Sequence, residues 1–458
     1  MNNIILIENK HNTEKQLLLK VNGNIELYKR LVNSLRSKGF LSCEDGEFVV
    51  EFVGLFIVDD LVVFFMPKFL KEENVTRDVC INIINLLRDY SSRESLKVEE
   101  VEYLGYDEGY NKNFLGVIDF ILKDYLENGL YINSETIYKI NSTGRIDWVK
   151  TIENNSLFFN DGGQPVYVEL VTCQNNLDEN LLITNIHKYI INKCFNILKD
   201  LSIIDIFNYN ESYFEIDEYG FEDKAFVISN INKELNNQYI DRKVNLLKAM
   251  ISFIDQSDNS AMDDFVLIYG TKYFHIVWEK VNSFVFNNQY EIYKKYIQKP
   301  NWKTTHNLID NYKETLIPDI LFLCEDLKFF FILDAKYYTM NFDSAGRIKG
   351  TIPGIADIVK QLAYEAAFTV RFEKKYSIYN AFIIPTTQET KITGSVSLEL
   401  FDTKGEIFTL HINYNEVFNM YRNFKKYSRL FWINNIFLEN ESNLQMIAEK
   451  KEFFNSLY

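Results

Sequence analysis

Residues 318–338 read PDILFLCEDLKFFFILDAKYY. Two apolar runs flank a short charged break, the pattern of two buried strands joined as a hairpin. Three charges stand against these runs: Asp319 at the entry of the first, Asp334 and Lys336 at the exit of the second. If the runs pair antiparallel around a tight turn at Asp326-Leu327, residue i faces residue 653 − i, and Asp319 lies opposite Asp334. Opposed residues have Cβ atoms roughly 4.5–5.5 Å apart. Strand alternation puts Lys336 on the face of Asp334 and turns Ala335 the other way. Neither Asp nor Leu suits the positive φ of a two-residue turn, so a longer loop with shifted register is the alternative. Two carboxylates held that close repel unless a cation sits between them, and hard oxygen ligands suit Mg²⁺. A bound Mg²⁺ activates water and stabilises charge on a phosphate oxygen. An ammonium nearby positions or deprotonates that water, or offsets transition-state charge. The plain alternative is a pair of solvated strand ends.

The rest of the chain sets the context. Its 458 residues suffice for two or three domains, and 47% hydrophobic with 25% charged residues is the mix of a globular protein. Tyr and Phe abound (29 and 37) while Gly and Pro are scarce (18 and 6), which argues against long disordered linkers. MNNIILIENK lacks the charged start and sustained apolar run of a targeting signal, and FVGLFIVDDLVVFFM (52–66) is too short and too charged to span a bilayer. These features lead us to expect a cytoplasmic protein without membrane partners. The five Cys and five His are scattered, so neither a disulfide scaffold nor a His-based metal site is supported. A net charge of −15 is unusual for a protein that binds phosphates. Distribution matters more than the average, and residues 336–375 hold seven basic side chains against four acidic ones.

Along the chain, residues 1–70 read as β-rich, with Asp59-Asp60 at a hairpin turn and Pro67 ending the second strand. Apolar periodicity predicts helices over 75–92, 112–128 and 178–199, with Gly129 as a stop. STGRIDWVKTI (142–152) reads as strand and loop with Trp148 in the core, and 232–242 and 255–263 read as connections. Helix 273–286, the hairpin, the loop 341–354, helix 355–375 and strand 379–385 then make an α/β pattern. We expect a β-rich and helical region over 1–150, a mixed connector over 151–260 and an α/β domain over 261–458. No GxxxxGK[ST] element is present, so the sequence carries no P-loop.

Pro318-Asp319 followed by Asp334-Ala335-Lys336 at a strand end and then a helix resembles the PD-(D/E)XK nuclease core. Glu279, on the preceding helix, matches an acidic position that many such nucleases place near the metal. Gln361 and Tyr364, one turn apart on the following helix, resemble a Gln-x-x-Tyr element that faces site and DNA. With VGLFIVDDLVVFFMPKF, STGRIDWVKTI and NIHKYIINKC, the chain resembles the LlaJI family of restriction endonucleases, which are similar to McrC, the nuclease partner of the GTPase McrB.

The resemblance implies a mixed α/β protein with a C-terminal PD-(D/E)XK domain. Its metal would be Mg²⁺, with Mn²⁺ as substitute, held by Asp319, Asp334 and Glu279, while Lys336, Gln361 and Tyr364 complete the catalytic set. Its partners would be double-stranded DNA and a separate McrB-like AAA+ GTPase that the N-terminal half docks onto and stimulates. Arg145 is the candidate contact to that GTPase, or else a structural ion pair. Arg347, Lys349 and Lys360 are candidates for DNA phosphates, or else solubilising charges. A stand-alone repair nuclease and a non-catalytic activator of a motor are the alternatives.

Overall fold

The computed structural model describes residues 2–44, 46–94, 96, 103–104, 113–132, 134–177, 182–216, 220–257, 266–299, 302–303, 308–309, 316–325, 328–342, 345–372, 375–398 and 405–427. The chain begins with strand β1 (Asn2–Ile7), then helices α1 (Glu14–Lys20) and α2 (Ile25–Ser37). The first 70 residues are therefore less uniformly β than expected. Both helices start on local capping chemistry. Thr13 and Gln16 form a reciprocal capping box, and the Asn24 side chain accepts from the N–H groups of Glu26 and Leu27. Strands β2 (Leu41–Glu44) and β3 (Glu47–Val50) make a hairpin, and β4 (Val53–Val58) and β5 (Leu61–Met66) make another. The second turns at Asp59-Asp60 as expected, with Asp59 at φ +51°, and β5 ends just before Pro67. β4 and β5 are buried along their whole length, so they read as unbroken apolar runs. Helix α3 (Arg77–Arg93) packs on both.

Residues 105–267 form one of two compact units. It contains α4 (Phe114–Asn128), β6 (Ser134–Ile140), β7 (Arg145–Ile146), α5 (Trp148–Asn154), β8 (Leu157–Phe159), β9 (Pro165–Tyr167) and β10 (Val171–Leu177). Helices α6 (Leu182–Asp200), α7 (Lys224–Leu235) and α8 (Asp241–Ser257) complete it. Strands β6, β10 and β7 pair antiparallel, and α4, α6, α7 and α8 pack together. Gly129, at φ +78°, closes α4 as expected. Two expectations fail here. Residues 148–154 are helical, because the Asp147 side chain caps the Lys150 N–H, and Trp148 is 54% exposed rather than core. The 232–242 segment is a connection only between Leu235 and Asp241, since α7 and α8 occupy its ends; residues 258–263 of the other segment lie outside the described residues.

The chain returns through β11 (Val266–Thr271), α9 (Phe274–Val285), α10 (Tyr290–Tyr293), β12 (Trp302–Lys303) and β13 (Leu308–Ile309). Then come β14 (Ile320–Cys324), β15 (Phe329–Ala335), β16 (Asn341–Phe342), β17 (Ile348–Lys349) and α11 (Ile355–Phe372). Strands β18 (Ser377–Thr386), β19 (Lys391–Ser397) and β20 (Glu406–Asn413) and helix α12 (Tyr414–Arg422) follow. The main sheet runs β14-β15-β18-β20-β19, with β15, β18 and β20 parallel and both edges antiparallel. A second sheet, β1-β5-β4-β11, joins the chain's beginning to the strand at residue 266. The two strands meet closely at Gly54 and Gly270, where a Cβ at either position would lie 2.3 Å from the other strand's carbonyl oxygen.

Residues 2–104 and 268–458 consequently make up the second compact unit. This grouping is discontinuous, unlike the consecutive regions 1–150, 151–260 and 261–458 drawn from the sequence. The fold as a whole is mixed α/β, as expected.

Candidate active site

The β14–β15 hairpin positions the site. Its pairs run from Ile320 with Leu333 to Cys324 with Phe329, each satisfying the 653 − i relation. The turn residues Asp326 and Leu327 lie outside the described residues, but the register is the one expected of a tight turn. Continued one step beyond the last pair, this register sets Asp319 opposite Asp334. Phe330, Ile332 and Leu321 on the same strand face pack against Tyr364 and Phe368 of α11. The charged end is thus the continuation of a packed core, and Asp334 is only 2% exposed.

Each charge is tied by specific bonds. The Asp319 carboxylate accepts the Ala335 N–H at 2.9 Å. Its backbone carbonyl accepts from the Asn288 side chain at 2.8 Å, and the same Asn288 accepts the Leu321 N–H at 3.0 Å. Lys336 extends from β15, its N–H bonded to the Ile383 carbonyl at 2.9 Å. Its ammonium lies 2.6 Å from Asp334 Oδ2 and 2.8 Å from Asp357 Oδ1. Asp357 in turn accepts from the Tyr338 hydroxyl at 3.0 Å and the Gly354 N–H at 3.1 Å.

The electrostatics separate these groups. Burial, the Asp334 charge and the Glu279 charge push the Asp319 carboxyl up to about 7. Burial works against the Lys336 ammonium, but Asp334 and Asp357 outweigh it and hold its pKa above the ordinary lysine range. Burial likewise opposes ionised Asp357, yet its bonds to Lys336, Gly354 and Tyr338 hold it below the usual carboxylate range. Lys336 is therefore a firmly charged ammonium beside two crowded carboxylates.

An open pocket of about 460 Å³ exposes Asp319, Asp334, Lys336, Glu279 and Lys360. The structure brings these five expected residues together. Gln361 and Tyr364 lie directly behind them rather than in the pocket: Gln361 donates to the Ile332 carbonyl at 3.1 Å, and the Tyr364 hydroxyl donates to the Ile317 carbonyl at 2.8 Å. Both are buried and brace the hairpin that carries the acids. Arg347 and Lys349 are exposed on the β16–β17 hairpin and do not line this pocket. Arg145 is exposed on β7 in the 105–267 unit.

Among the described residues, no three Asp, Glu, His or Cys side chains converge as a ready metal cage. The donor set nevertheless fits Mg²⁺. That ion keeps several waters and needs only one or two carboxylates, and a cation would offset the burial and the neighbouring charges that raise Asp319. Sequence reading missed Asp357, Asn288, Glu8, Lys68 and Tyr337. Asp357 had a signal, since it precedes Gln361 by four residues and so shares its helix face.

A mixed α/β fold that opposes two acids at a strand end beside a lysine defines the class of site. The sequence profile described as LlaJI restriction endonuclease matches residues 52–413, and the chain belongs to that family. It is 33% identical over 433 residues to the type II restriction enzyme BsuMI component YdjA of Bacillus subtilis (strain 168), covering 92% of this chain and 89% of that one. Among solved structures, it resembles a chain of the refined half-complex from the tetradecameric assembly of Thermococcus gammatolerans McrB AAA+ hexamers with bound McrC. The TM-score there is 0.37 at 13% identity, over 92% of this chain and 98% of that one. A chain of the cryo-EM structure of the Thermococcus gammatolerans McrBC complex matches with a TM-score of 0.23 at 12% identity, over 58% and 83%.

Proposed function

We propose that this chain is the Mg²⁺-dependent DNA-cleaving subunit of a GTP-dependent, McrBC-like restriction system, with a PD-(D/E)XK catalytic core. The observation that carries the reading is the opposition of Asp319 and Asp334 in the register that also places Lys336 beside Asp334. Asp319 and Asp334, with Glu279 next to them, would hold the metal. When bound, Mg²⁺ supplies a Lewis acid for the scissile phosphate and an activated water. Lys336 supplies fixed positive charge, because its two carboxylate partners keep it protonated. That favours stabilising the negative charge that builds on the phosphate over removing a proton from water. Asp357 aims the ammonium, while Gln361, Tyr364 and Asn288 hold the hairpin at the precision that catalysis requires.

A separate GTPase partner agrees with two features: the chain has no P-loop, and the BsuMI relative is named as one component of an enzyme. The 105–267 unit also exposes apolar side chains at Trp148, Phe158, Phe159 and Val168, a surface suited to a protein partner. Among the described residues, no helix is long and apolar enough to cross a membrane.

The test uses the full chain, tagged and co-purified with whatever nucleotide-hydrolysing protein it retains. DNA cleavage by that complex with GTP and Mg²⁺ should fall by at least about 10²–10³-fold in Asp334→Ala, with partner retention unchanged. Undiminished cutting by the variant refutes the nuclease assignment, and purification without any GTPase refutes the partner.

A further inference from the structure

The second wall of the pocket comes from the other end of the sequence. β1 and β5 are parallel, so both exit at the same end of their sheet, and antiparallel β4 enters there. The contact of Gly54 with Gly270 brings the exit of β11 to that end as well. The residues just outside these strand ends are Glu8, Glu51, Lys68 and Lys272, and all four line the pocket that exposes Asp319 and Asp334. The sheet end is fastened to the catalytic strand: the Tyr337 hydroxyl, one residue past Lys336, donates to Glu8. Tyr337 and Glu8 are both buried.

Two of these residues are lysines that form no ion pair among the described residues. The half-buried Lys68 ammonium lies 4.4 Å from the centroid of the Tyr337 ring, and the half-buried Lys272 ammonium lies 5.1 Å from that of Phe40. Glu8 is the charge that acts on Lys68, but its carboxylate is already engaged by the Tyr337 hydroxyl and the Lys68 N–H, and burial raises its pKa. A half-buried ammonium in this state gains most from an anion brought into the pocket.

We propose that Lys68 and Lys272 form a phosphate-binding pair that takes the backbone of double-stranded DNA, so that the cleaved strand passes between the end of the N-terminal sheet and the Asp319–Asp334 hairpin. This rests on the nuclease reading of that hairpin. It makes the N-terminal sheet part of the cleavage site rather than a docking module alone.

Binding of the full chain to a short fluorescent duplex, followed over a salt titration in EDTA, tests the pair without catalysis. Each phosphate contact contributes about 0.9 to the slope of log K against log salt. Lys68→Met and Lys272→Met should each make the slope shallower by about 0.9, and the double variant by about 1.8. Lys68→Arg should keep the wild-type slope. If Lys68 merely neutralises Glu8, Lys68→Met will melt at lower temperature with its slope intact, and the proposal falls. Absence of wild-type binding also overturns it. The nuclease reading is judged separately by Asp334→Ala cleavage. A dead Asp334→Ala with unaltered lysine slopes removes only the phosphate assignment, whereas an active Asp334→Ala removes the nuclease reading whatever the slopes show.

Discussion

Replacing Asp319 with Asn should stabilise the metal-free protein while destroying its activity. The folded-state carboxyl sits at about 7 against an ordinary 3.8, because burial and the charges of Asp334 and Glu279 disfavour its ionised form. A raised pKa means the folded state holds the proton more tightly than the unfolded chain. The stability that comes with this is complete below pH 3.8 and is lost as the pH rises through about 7. The difference between about 7 and the ordinary 3.8 corresponds to up to about 4 kcal/mol at pH 8. Asn keeps an oxygen to accept the Ala335 N–H and has no charge to crowd its neighbours. The unit containing the site spans roughly 290 residues. At about 2.1 cal/mol/K per residue its unfolding entropy is ~0.6 kcal/mol/K, so the gain amounts to a rise of up to ~6 °C. The assay is thermal unfolding of wild type and Asp319→Asn in EDTA at pH 8 and near pH 4. The difference should be large at pH 8 and nearly absent at pH 4. An equal shift at both pH values, or a loss at pH 8, would show that burial and the neighbouring acids do not penalise ionised Asp319.

Two further predictions concern groups the sequence did not single out. Asp357→Asn removes one of the two carboxylates holding Lys336; a charge-assisted bond contributes about 1.5–3 kcal/mol, so cleavage should slow by about 10-fold or more while DNA affinity is retained, and an unaltered rate would remove Asp357 from the site. His187 is fully buried and accepts the Tyr131 N–H at 2.9 Å, and burial lowers its pKa from 6.5 to about 4. Its neutral form therefore contributes stability above pH 6.5 that is lost as the pH falls toward 4, about 3 kcal/mol in all. His187→Asn, whose carbonyl can take the same N–H, should flatten the dependence of urea midpoints on pH across that window, and a retained slope would assign the acid sensitivity elsewhere.

What could be read from residues alone follows from how local each determinant is. The hairpin register was legible because burial of both strands leaves long apolar runs, and the runs fix where their ends must meet. Helices α3, α4, α6 and α9 were legible for the same reason, each carrying one apolar face. Helices α1 and α2 were missed although Thr13-x-x-Gln16 is a capping signature in plain view. Trp148 was misplaced because an aromatic side chain looks the same in the sequence whether it is buried or exposed. Lys68 was visible only as the Lys of the Pro-Lys that closes the early strand pair, and Lys272 had no local signal. Their meaning depends on β11 lying beside β4, more than 200 residues away in sequence, and the only trace of that contact is a glycine in each strand.

That long-range pairing also changes what the acid–acid–lysine motif means. By itself the hairpin accounts for two close acids and a charged lysine, and its acids would repel a polyanion as strongly as they attract a cation. In a chain of net charge −15, a substrate strand needs positive charge on the opposite side of the pocket. Under the proposal above, Lys68 and Lys272 at the end of the sheet that begins at residue 2 supply it, and the bond from Tyr337 to Glu8 fixes that sheet to the residue next to Lys336. Because β11 is also the segment by which the chain returns from the 105–267 unit, one of the two proposed phosphate cations follows directly on that return.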